Sequence, residues 1–178
     1  MNKFFTLKNL FGFYQKKKIL DNRGYFFKVF DYQDFQKSNF KHIIKQVNIS
    51  NNKKKGTIRG LHYQINKHKE QKIIICLKGS IFDVLVDIRK NSKNFLKCFT
   101  NELTEKNGKI LVIPMGFAHG YQTLEKNTKI LYLHSNTYSK KNERSLNPMD
   151  KKLNIKWPVK AKHMSIKDKN TKMINDKM

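Results

Sequence analysis

Histidine and lysine side chains at two places in the chain have the chemistry needed to move a proton. One glycine-bounded segment contains His62, Gln64 and Lys72, and a second contains His119. An imidazole is a general base near neutral pH, and a nearby ammonium stabilises an enolate oxygen as it forms. These residue types therefore favour abstraction of a proton from a carbon next to a carbonyl group.

The spacing of the two segments resembles that of the two signature motifs of cupins, in which hairpins point side chains into the lumen of a β-barrel. A metal-binding cupin would have a His-x-His pair, a Glu further on and one more His. Here those positions hold His62, Gln64, Lys72 and His119. Because a lysine ammonium repels a divalent cation, we predict a site without a metal and without any other cofactor.

Short strands would have to position these side chains. Runs of β-branched and aromatic residues bounded by turn residues are typical of strands, and they lie at residues 26–30, 43–49, 72–77, 80–89, 109–113 and 129–135. In the run 80–89, alternation puts Asp83 on the face towards the lumen, opposite Val84 and Val86. Helices are expected only at 32–38 and 102–107. With the cupin-like spacing, this pattern predicts an all-β protein, a double-stranded β-helix (cupin-like jelly roll) with a few short helices.

The composition indicates one globular domain. The 178 residues are enough to bury a core, expected over about 20–158, with a loosely ordered, lysine-rich tail over 159–178 that has room for a short helix. A hydrophobic content of 38% excludes a disordered chain. Two cysteines, Cys76 and Cys98, form no disulfide framework, which indicates a reducing compartment. No signal-peptide cleavage site and no apolar stretch of about 20 residues is found, so we expect a cytoplasmic protein without a membrane partner.

The formal net charge of +25 is the strongest compositional feature. It reflects either a general preference for surface lysine or attraction to an anion, which could be a nucleic acid or a phosphorylated small molecule. No RNP-type aromatic motif, helix-turn-helix or zinc finger accompanies the charge. A nucleic-acid partner is therefore not expected, whereas a diphosphate substrate would be drawn inward.

Six blocks of sequence, in order along most of the chain, are similar to those of the dTDP-4-dehydrorhamnose 3,5-epimerases, a family of cofactor-independent sugar-nucleotide isomerases. The blocks are residues 21–26, 46–50, 56–64, 82–89, 113–120 and 153–158. The resemblance implies inversion of C3 and C5 of dTDP-4-dehydro-6-deoxy-D-glucose, in the synthesis of dTDP-L-rhamnose or a related deoxysugar for polysaccharides.

The resemblance also implies a role for each catalytic residue. His62 is the base that removes the protons at C3 and C5, both of which are α to the C4 ketone. Lys72 lies near the developing enolate, and Tyr132 is the acid that returns a proton from the opposite face. Asp168 orients the base, with Asp83 as a competing candidate for that role.

The substrate-binding residues implied by the resemblance are Arg23, Lys28, Gln46, Asn48, Arg59, His119, Tyr138, Glu143 and Lys167. Arg23 and Arg59 would hold the diphosphate, because a guanidinium fork matches phosphate oxygens. Tyr138 would stack on the base or cover the sugar, and Lys28 stands where the family usually has a glutamate on the nucleotide side. The resemblance further implies a homodimer with an exchanged N-terminal strand, so that Arg23 acts in the partner's site.

Two other functions remain open at this point. One is a single-carbon epimerase or keto-isomerase that acts on another nucleotide-linked 4-keto sugar, since such enzymes share most of these motifs. The other is a non-catalytic, basic barrel that binds anions or nucleic acid, which the net charge alone would support.

Overall fold

The computed structural model describes residues 3–7, 11–15, 17–36, 40 and 42–175, with side chains from residue 11 onward except for that of residue 36. Its strands are β1 (Lys3–Leu7), β2 (Phe11–Gln15), β3 (Ile19–Asp21), β4 (Gly24–Phe26), β5 (Gln46–Asn52), β6 (Ile58–Gln64), β7 (Lys72–Lys78), β8 (Ser80–Asp87), β9 (Cys98–Thr104), β10 (Lys109–Ile113), β11 (Phe117–Thr123), β12 (Thr128–His134) and β13 (Glu143–Ser145). The helices are α1 (Tyr32–Gln36), α2 (Ile166–Lys169) and the 3₁₀ turns Asn66–His68 and Lys140–Asn142.

Two antiparallel sheets face each other. The larger sheet has the strand order β1-β2-β10-β7-β12-β5, and the smaller has the order β13-β6-β11-β8-β9. Strands β3 and β4 form a separate hairpin. This architecture confirms the prediction of an all-β, cupin-like jelly roll with a few short helices.

Because side chains alternate along a strand, each central strand contributes residues to the cores on both faces of its sheet. In β7, Ile74 and Cys76 point between the sheets, where they pack with Leu85 of β8. Ile73 and Ile75 point the other way and belong to a second cluster on the outer face of the larger sheet. Both faces of the central strands are therefore apolar, because both are covered.

Chain segments outside the sheets cover the two outer faces. Phe35 of α1 and Phe40 lie on the larger sheet and are fully buried. Leu153 and Ile174, which come after the last strand, lie on the smaller sheet against Val84. The C-terminal segment is thus part of the packed structure.

Two local predictions were wrong. The run 26–30 is a strand only at Phe26, because the apolar side chains that follow pack on the outer face of the larger sheet as irregular chain. The predicted helix at 102–107 is the end of β9 followed by a turn. In that turn, the side-chain oxygen of Asn107 accepts hydrogen bonds from the backbone N–H groups of Thr104 and Lys109, at 3.2 Å and 3.0 Å.

Other boundaries shifted by a few residues. The strand predicted at 43–49 begins at Gln46 and continues to Asn52. The helix predicted at 32–38 is present as α1 to Gln36, and residues 37–38 lie outside the described residues.

The packed core extends beyond 20–158 at both ends, and the tail is not loosely ordered. Phe11 and Tyr14 of β2 are buried at 4% and 5% exposure. In the tail, His163 forms a parallel bridge with Thr57, and Asp168 of α2 is buried. The lysine-rich composition gave the wrong expectation, because two residues between the lysines, Asp168 and Ile174, are buried and fasten the segment to the barrel. No helix in the described part of the chain is both long and apolar enough to span a membrane.

Candidate active site

A cavity of about 910 Å³ lies between the two sheets and is lined by both. Strands β5, β7 and β12 form one wall, β6 and β11 form the other, and α2 lies at the rim. Most of the predicted site residues meet here: Gln46, Asn48, Arg59, His62, Lys72, His119, Tyr132, Tyr138, Glu143, Lys167 and Asp168.

Arg23 and Lys28 do not line the cavity of their own chain. For Arg23 this agrees with the expectation that it acts in the partner's site, whereas Lys28 was expected on the nucleotide side of the site. Arg23 lies at the turn of the β3–β4 hairpin, where its side chain is 85% exposed and its Nε donates to Asp21 at 3.1 Å. Lys28 is also exposed, with its Nζ 3.0 Å from a carboxylate oxygen of Asp31. The β3–β4 hairpin carries Arg23, and Lys28 follows it by two residues. In the described part of the chain this hairpin forms no ladder with either sheet.

His62 lies between two carboxylates. Its Nε2 is 2.8 Å from Oδ1 of Asp168, and its Nδ1 is 3.9 Å from Oε1 of Glu143. An ionised carboxylate can only accept, so Nε2–H donates to Asp168. Nδ1 of the neutral ring is then the atom that can take up a proton. The resulting imidazolium would face a negative charge at both nitrogens.

The environment of Asp168 keeps it ionised. Burial raises the pKa of this carboxyl, but the hydrogen bond and charge of His62, followed by the hydroxyl of Ser165, lower it further, and the net pKa is below its ordinary value. Ser165 caps α2 and its Oγ accepts the backbone N–H of Asp168 at 3.0 Å. Helix α2 therefore holds the carboxylate of Asp168 in place, and this carboxylate orients the imidazole of His62.

Asp83 does point into the lumen, as its parity predicted, but it does not serve His62. Its Oδ2 is 2.7 Å from Nε2 of His119, and both side chains are buried. The competing assignment of Asp83 as the partner of the base is therefore wrong. The site instead has two separate histidine–carboxylate pairs.

Two glycines set the distance between these pairs. Strands β6 and β11 pair with His62 opposite His119, and Gly60 and Gly120 let the two backbones touch. A Cβ on Gly60, whose φ is +119°, would lie 2.5 Å from the Cα of Gly120. A Cβ on Gly120 would lie 2.6 Å from the carbonyl oxygen of Arg59.

Tyr132 approaches the cavity from the wall opposite His62, since β12 belongs to the larger sheet and β6 to the smaller. Burial, followed by the nearby hydroxyl of Tyr121, raises the pKa of Tyr132 well above its ordinary value. The phenol is therefore protonated at neutral pH and available as an acid. Its ring packs edge-on against His119, with centroids 6.4 Å apart.

Lys72 points towards the same space, with its Nζ 3.5 Å from the carbonyl oxygen of His62. Its ammonium pairs with Glu70 at 3.2 Å, and Glu70 also contacts Nδ1 of His134 at 2.8 Å. The sequence analysis missed Glu70 and His134. Period two could have found His134, which lies two positions from Tyr132 on β12. Glu70 precedes the start of β7, so no strand pattern indicated it.

Polar residues at the rim are joined to one another. The hydroxyl of Tyr138 donates to Glu143 at 2.8 Å, and Lys167 forms an ion pair with the same carboxylate. The backbone N–H of Tyr138 donates to Gln46 at 2.8 Å, and Gln46 donates to Asn48 at 3.3 Å. The predicted binding residues thus form one connected edge above the catalytic groups.

Arg59 is held through a single nitrogen. Its Nε donates to Oδ1 of Asn52 at 2.7 Å, and Asn52 donates in turn to the hydroxyl of Tyr121 at 3.2 Å. Asn52 was also missed by the sequence analysis. This anchor leaves the two terminal nitrogens of the guanidinium to face an anion, the geometry that suits phosphate oxygens.

Comparison with known proteins agrees with this geometry. Residues 6–176 match the family model described as dTDP-4-dehydrorhamnose 3,5-epimerase. The chain is 37% identical to the dTDP-4-dehydrorhamnose 3,5-epimerase of Shigella flexneri over 157 residues. This alignment covers 88% of this chain and 87% of the relative.

Solved structures of the same family have closely similar folds. The crystal structure of the Bacillus anthracis dTDP-4-dehydrorhamnose 3,5-epimerase with TDP and pyrophosphate bound gives a TM-score of 0.92 at 32% identity, over 98% of this chain and 100% of the other. The crystal structure of the Legionella pneumophila dTDP-6-deoxy-D-glucose-3,5-epimerase in complex with dTDP-4-keto-L-rhamnose gives a TM-score of 0.91 at 30% identity. The match covers 97% of this chain and 93% of the other.

Proposed function

The chain belongs to the dTDP-4-dehydrorhamnose 3,5-epimerase family, an isomerase family, and from this premise we propose that it inverts C3 and C5 of dTDP-4-dehydro-6-deoxy-D-glucose. The product would be dTDP-4-dehydro-L-rhamnose, for dTDP-L-rhamnose or related deoxysugar synthesis. One observation carries the proposal: a base, His62, and a protonated phenol, Tyr132, reach one cavity from opposite walls. Inversion needs a proton carrier on each face of the sugar.

The first step of each inversion is removal of a proton α to the C4 ketone. Nδ1 of His62 takes the proton, and the C–H electrons move to the C4 oxygen as an enolate forms. The ammonium of Lys72 stabilises the enolate. Asp168 and Glu143 stabilise the imidazolium, which is the role of the orienting carboxylate in a catalytic triad.

The second step returns a proton to the same carbon from the other face. Tyr132 donates its phenolic proton while the enolate electrons reform the C4 ketone. The tyrosinate and the imidazolium then reset by proton exchange with solvent. We propose that no metal or other cofactor takes part, since the ammonium of Lys72 occupies the position from which a cation would act.

Binding of the nucleotide would use the rim. The guanidinium of Arg59 is placed to hold the diphosphate, and Tyr138 and Lys167 are placed to cover the sugar nucleotide. A diphosphate is drawn towards a chain of net charge +25. A nucleotide-sugar substrate and two cysteines that are both free thiols also support a cytoplasmic location.

We propose a homodimer in which the β3–β4 hairpin docks on the partner. The hairpin exposes Ile19, Leu20 and Phe26, and the edge strand β5 exposes Val47 and Ile49. Exposed apolar side chains on the hairpin and on an edge strand are the kind of surface that associates with another chain. Docking would bury the hairpin and bring the guanidinium at its turn to the neighbouring cavity, where the diphosphate binds.

Light scattering tests the dimer. The wild-type chain should have twice its monomer mass, and Leu20→Asp combined with Phe26→Asp should be a folded monomer with weakened dTDP binding. A monomeric wild-type chain with full activity would refute the dimer and leave the epimerase proposal intact.

Deuterium exchange tests the reaction. The protein is incubated with dTDP-4-dehydro-6-deoxy-D-glucose in D₂O, and NMR follows label at C3 and C5, with His62→Ala as the inactive variant. His42→Gln, which changes an exposed histidine outside the cavity, is the matched control. Label at both carbons that only His62→Ala abolishes would support the proposal. Label at one carbon would indicate a single-carbon epimerase, and no label at either would exclude this substrate.

A further inference from the structure

Glu70 is a buried carboxylate that the mechanism above does not use. Its side chain is 6% exposed, and those of Lys72 and His134, its two partners, are each 12% exposed. Oε1 faces the Lys72 ammonium at 3.2 Å, and Oε2 faces Nδ1 of His134 at 2.8 Å. A carboxylate buried to this extent needs such partners, because an unpaired charge away from water is strongly unfavourable. The three side chains therefore form one electrostatic unit.

His134 has a single consistent arrangement of donors and acceptors. Because Glu70 only accepts, Nδ1–H donates to it, and Nε2 then accepts the Nδ2–H of Asn48 at 3.3 Å. The imidazole also stacks on the ring of Tyr132, at a centroid distance of 5.9 Å and an interplanar angle of 9°. His134 therefore contacts Tyr132, Asn48 and Glu70, which have proposed roles as the acid, as a substrate-binding amide and as the partner of Lys72.

These contacts form a continuous chain along one wall of the cavity. It runs from the ammonium of Lys72 through Glu70 and His134 to Asn48, and then through Gln46 to the backbone of Tyr138. It joins the buried ion pair of Lys72 and Glu70 to the rim.

We propose that Glu70 and His134 are positioning residues that hold the ammonium of Lys72 at the C4 oxygen and hold Asn48 against the sugar nucleotide; the inference rests on the proposed function of the site. A lysine side chain is a flexible four-carbon stem with a point charge at its end. Glu70 fixes that end, and His134 fixes Glu70. Neither residue needs to touch the substrate.

Kinetics of matched variants test the inference. Glu70→Gln keeps the size of the side chain and removes its charge, so kcat should fall by up to about 100-fold, the effect of a misplacement of about 1 Å, with KM changed less than about threefold. His134→Gln keeps Glu70 charged and should lower kcat by a smaller factor, but it should raise KM because Asn48 loses the ring that holds it. Glu102→Gln changes an exposed carboxylate on the other sheet and should leave both parameters unchanged.

A double mutant separates positioning from a general structural role. If Glu70 acts through Lys72, then Glu70→Gln combined with Lys72→Met should be no slower than Lys72→Met alone, because residues that act as a unit are non-additive. If Glu70 only supports the fold, the double mutant should be slower by the full factor seen for Glu70→Gln. That second result would overturn the inference.

Chemical modification gives a readout that does not depend on activity. The rate of acetylation of Lys72, measured by mass spectrometry and normalised to the exposed Lys109, should rise severalfold in Glu70→Gln and in His134→Gln but not in Glu102→Gln. An unchanged rate at Lys72 would overturn the inference. If the wild-type chain epimerises nothing but acetylation of Lys72 is still faster in Glu70→Gln, the positioning contact is retained and the proposed function is refuted.

Discussion

At the scale of single residues, the two nitrogens of His62 have separate tasks. Nε2 is committed to Asp168 at 2.8 Å, and Nδ1 faces the cavity with Glu143 at 3.9 Å. The carboxylate at Nε2 therefore selects which nitrogen is the base. A carboxamide in its place could accept the same hydrogen bond, but it carries no charge and can also turn its NH₂ group towards the ring.

Asp168→Asn should consequently lower kcat by up to about 10,000-fold, the effect of the same change in a serine-protease triad. The affinity for dTDP should change less than about threefold, because Asp168 is placed to hold the base and not the nucleotide. Steady-state kinetics and titration calorimetry with dTDP measure the two quantities. A loss below tenfold, or an equal loss of dTDP affinity, would argue against the orienting role.

Tyr132→Phe should separate proton removal from inversion. The base remains, so deuterium should still enter the substrate at C3 or C5 with its configuration retained. Inverted product should form at least about 100-fold more slowly, since a general acid contributes about 100- to 10,000-fold. NMR of the sugar in D₂O follows both events, and an equal loss of exchange and inversion would exclude Tyr132 as the second proton carrier.

At the scale of elements, the short helix α2 orients a catalytic side chain on β6, a strand about 100 residues earlier in the chain. Its one turn places Asp168 against His62 of β6, and the hydroxyl of Ser165 holds the first turn through the backbone N–H of Asp168.

Ser165→Ala should remove this cap at a cost of about 1 kcal/mol. If that cost falls on the catalytic arrangement, kcat drops about fivefold, while the melting temperature changes little because one short terminal helix is affected. Kinetics, together with hydrogen exchange of the Asp168 amide, measures the effect. Unchanged kcat with faster exchange would show that the base keeps its orientation without the cap.

The elements also show which parts of the fold could be predicted from the sequence. Alternation in β8 was readable because the carboxylates Asp83 and Asp87 fall on one face and Val84 and Val86 on the other, and Asp83 points inward as expected. The run 26–30 is also rich in aromatic and β-branched residues, but among the described residues it pairs with another strand only at Phe26. Composition alone does not show that a partner strand is missing.

The site was predictable to a similar degree. The site residues implied by the family resemblance meet in one cavity, except for Arg23 and Lys28, whereas Glu70 and His134 were not among the implied residues and were missed. Which histidine pairs with Asp83 and which with Asp168 depends on the register of β6 and β11, and that register appears only in three dimensions.

At the scale of the whole molecule, buried acids tie stability to pH. Burial raises the pKa values of Glu70, Glu143 and Asp168, but hydrogen bonds and charges from His134, Lys167 and His62 respectively lower them further, and each net pKa is below its ordinary value. A lowered folded-state pKa contributes stability that is present above the unfolded pKa and is lost as the pH falls through the folded one.

The melting temperature of the wild-type chain should therefore be nearly constant with respect to these groups above about pH 5, and should fall once the pH drops below about 4, where unfolded carboxyls titrate. In Glu70→Gln the fall between pH 5 and 3 should be shallower, because one of the coupled carboxylates is gone. Calorimetry at pH intervals measures both curves, and parallel curves would show that the Glu70 carboxylate carries no such linkage.

The contact between Gly60 and Gly120 bears on how freely this sequence can change. The spacing of the two histidine–carboxylate pairs is set by backbone touching backbone, where even a methyl group would lie 2.5 Å from its neighbour. Side chains elsewhere in the core can exchange one apolar shape for another of similar volume, but these two positions have no alternative. In a library that samples every substitution at every position, the surrounding apolar residues should vary while active clones keep both glycines.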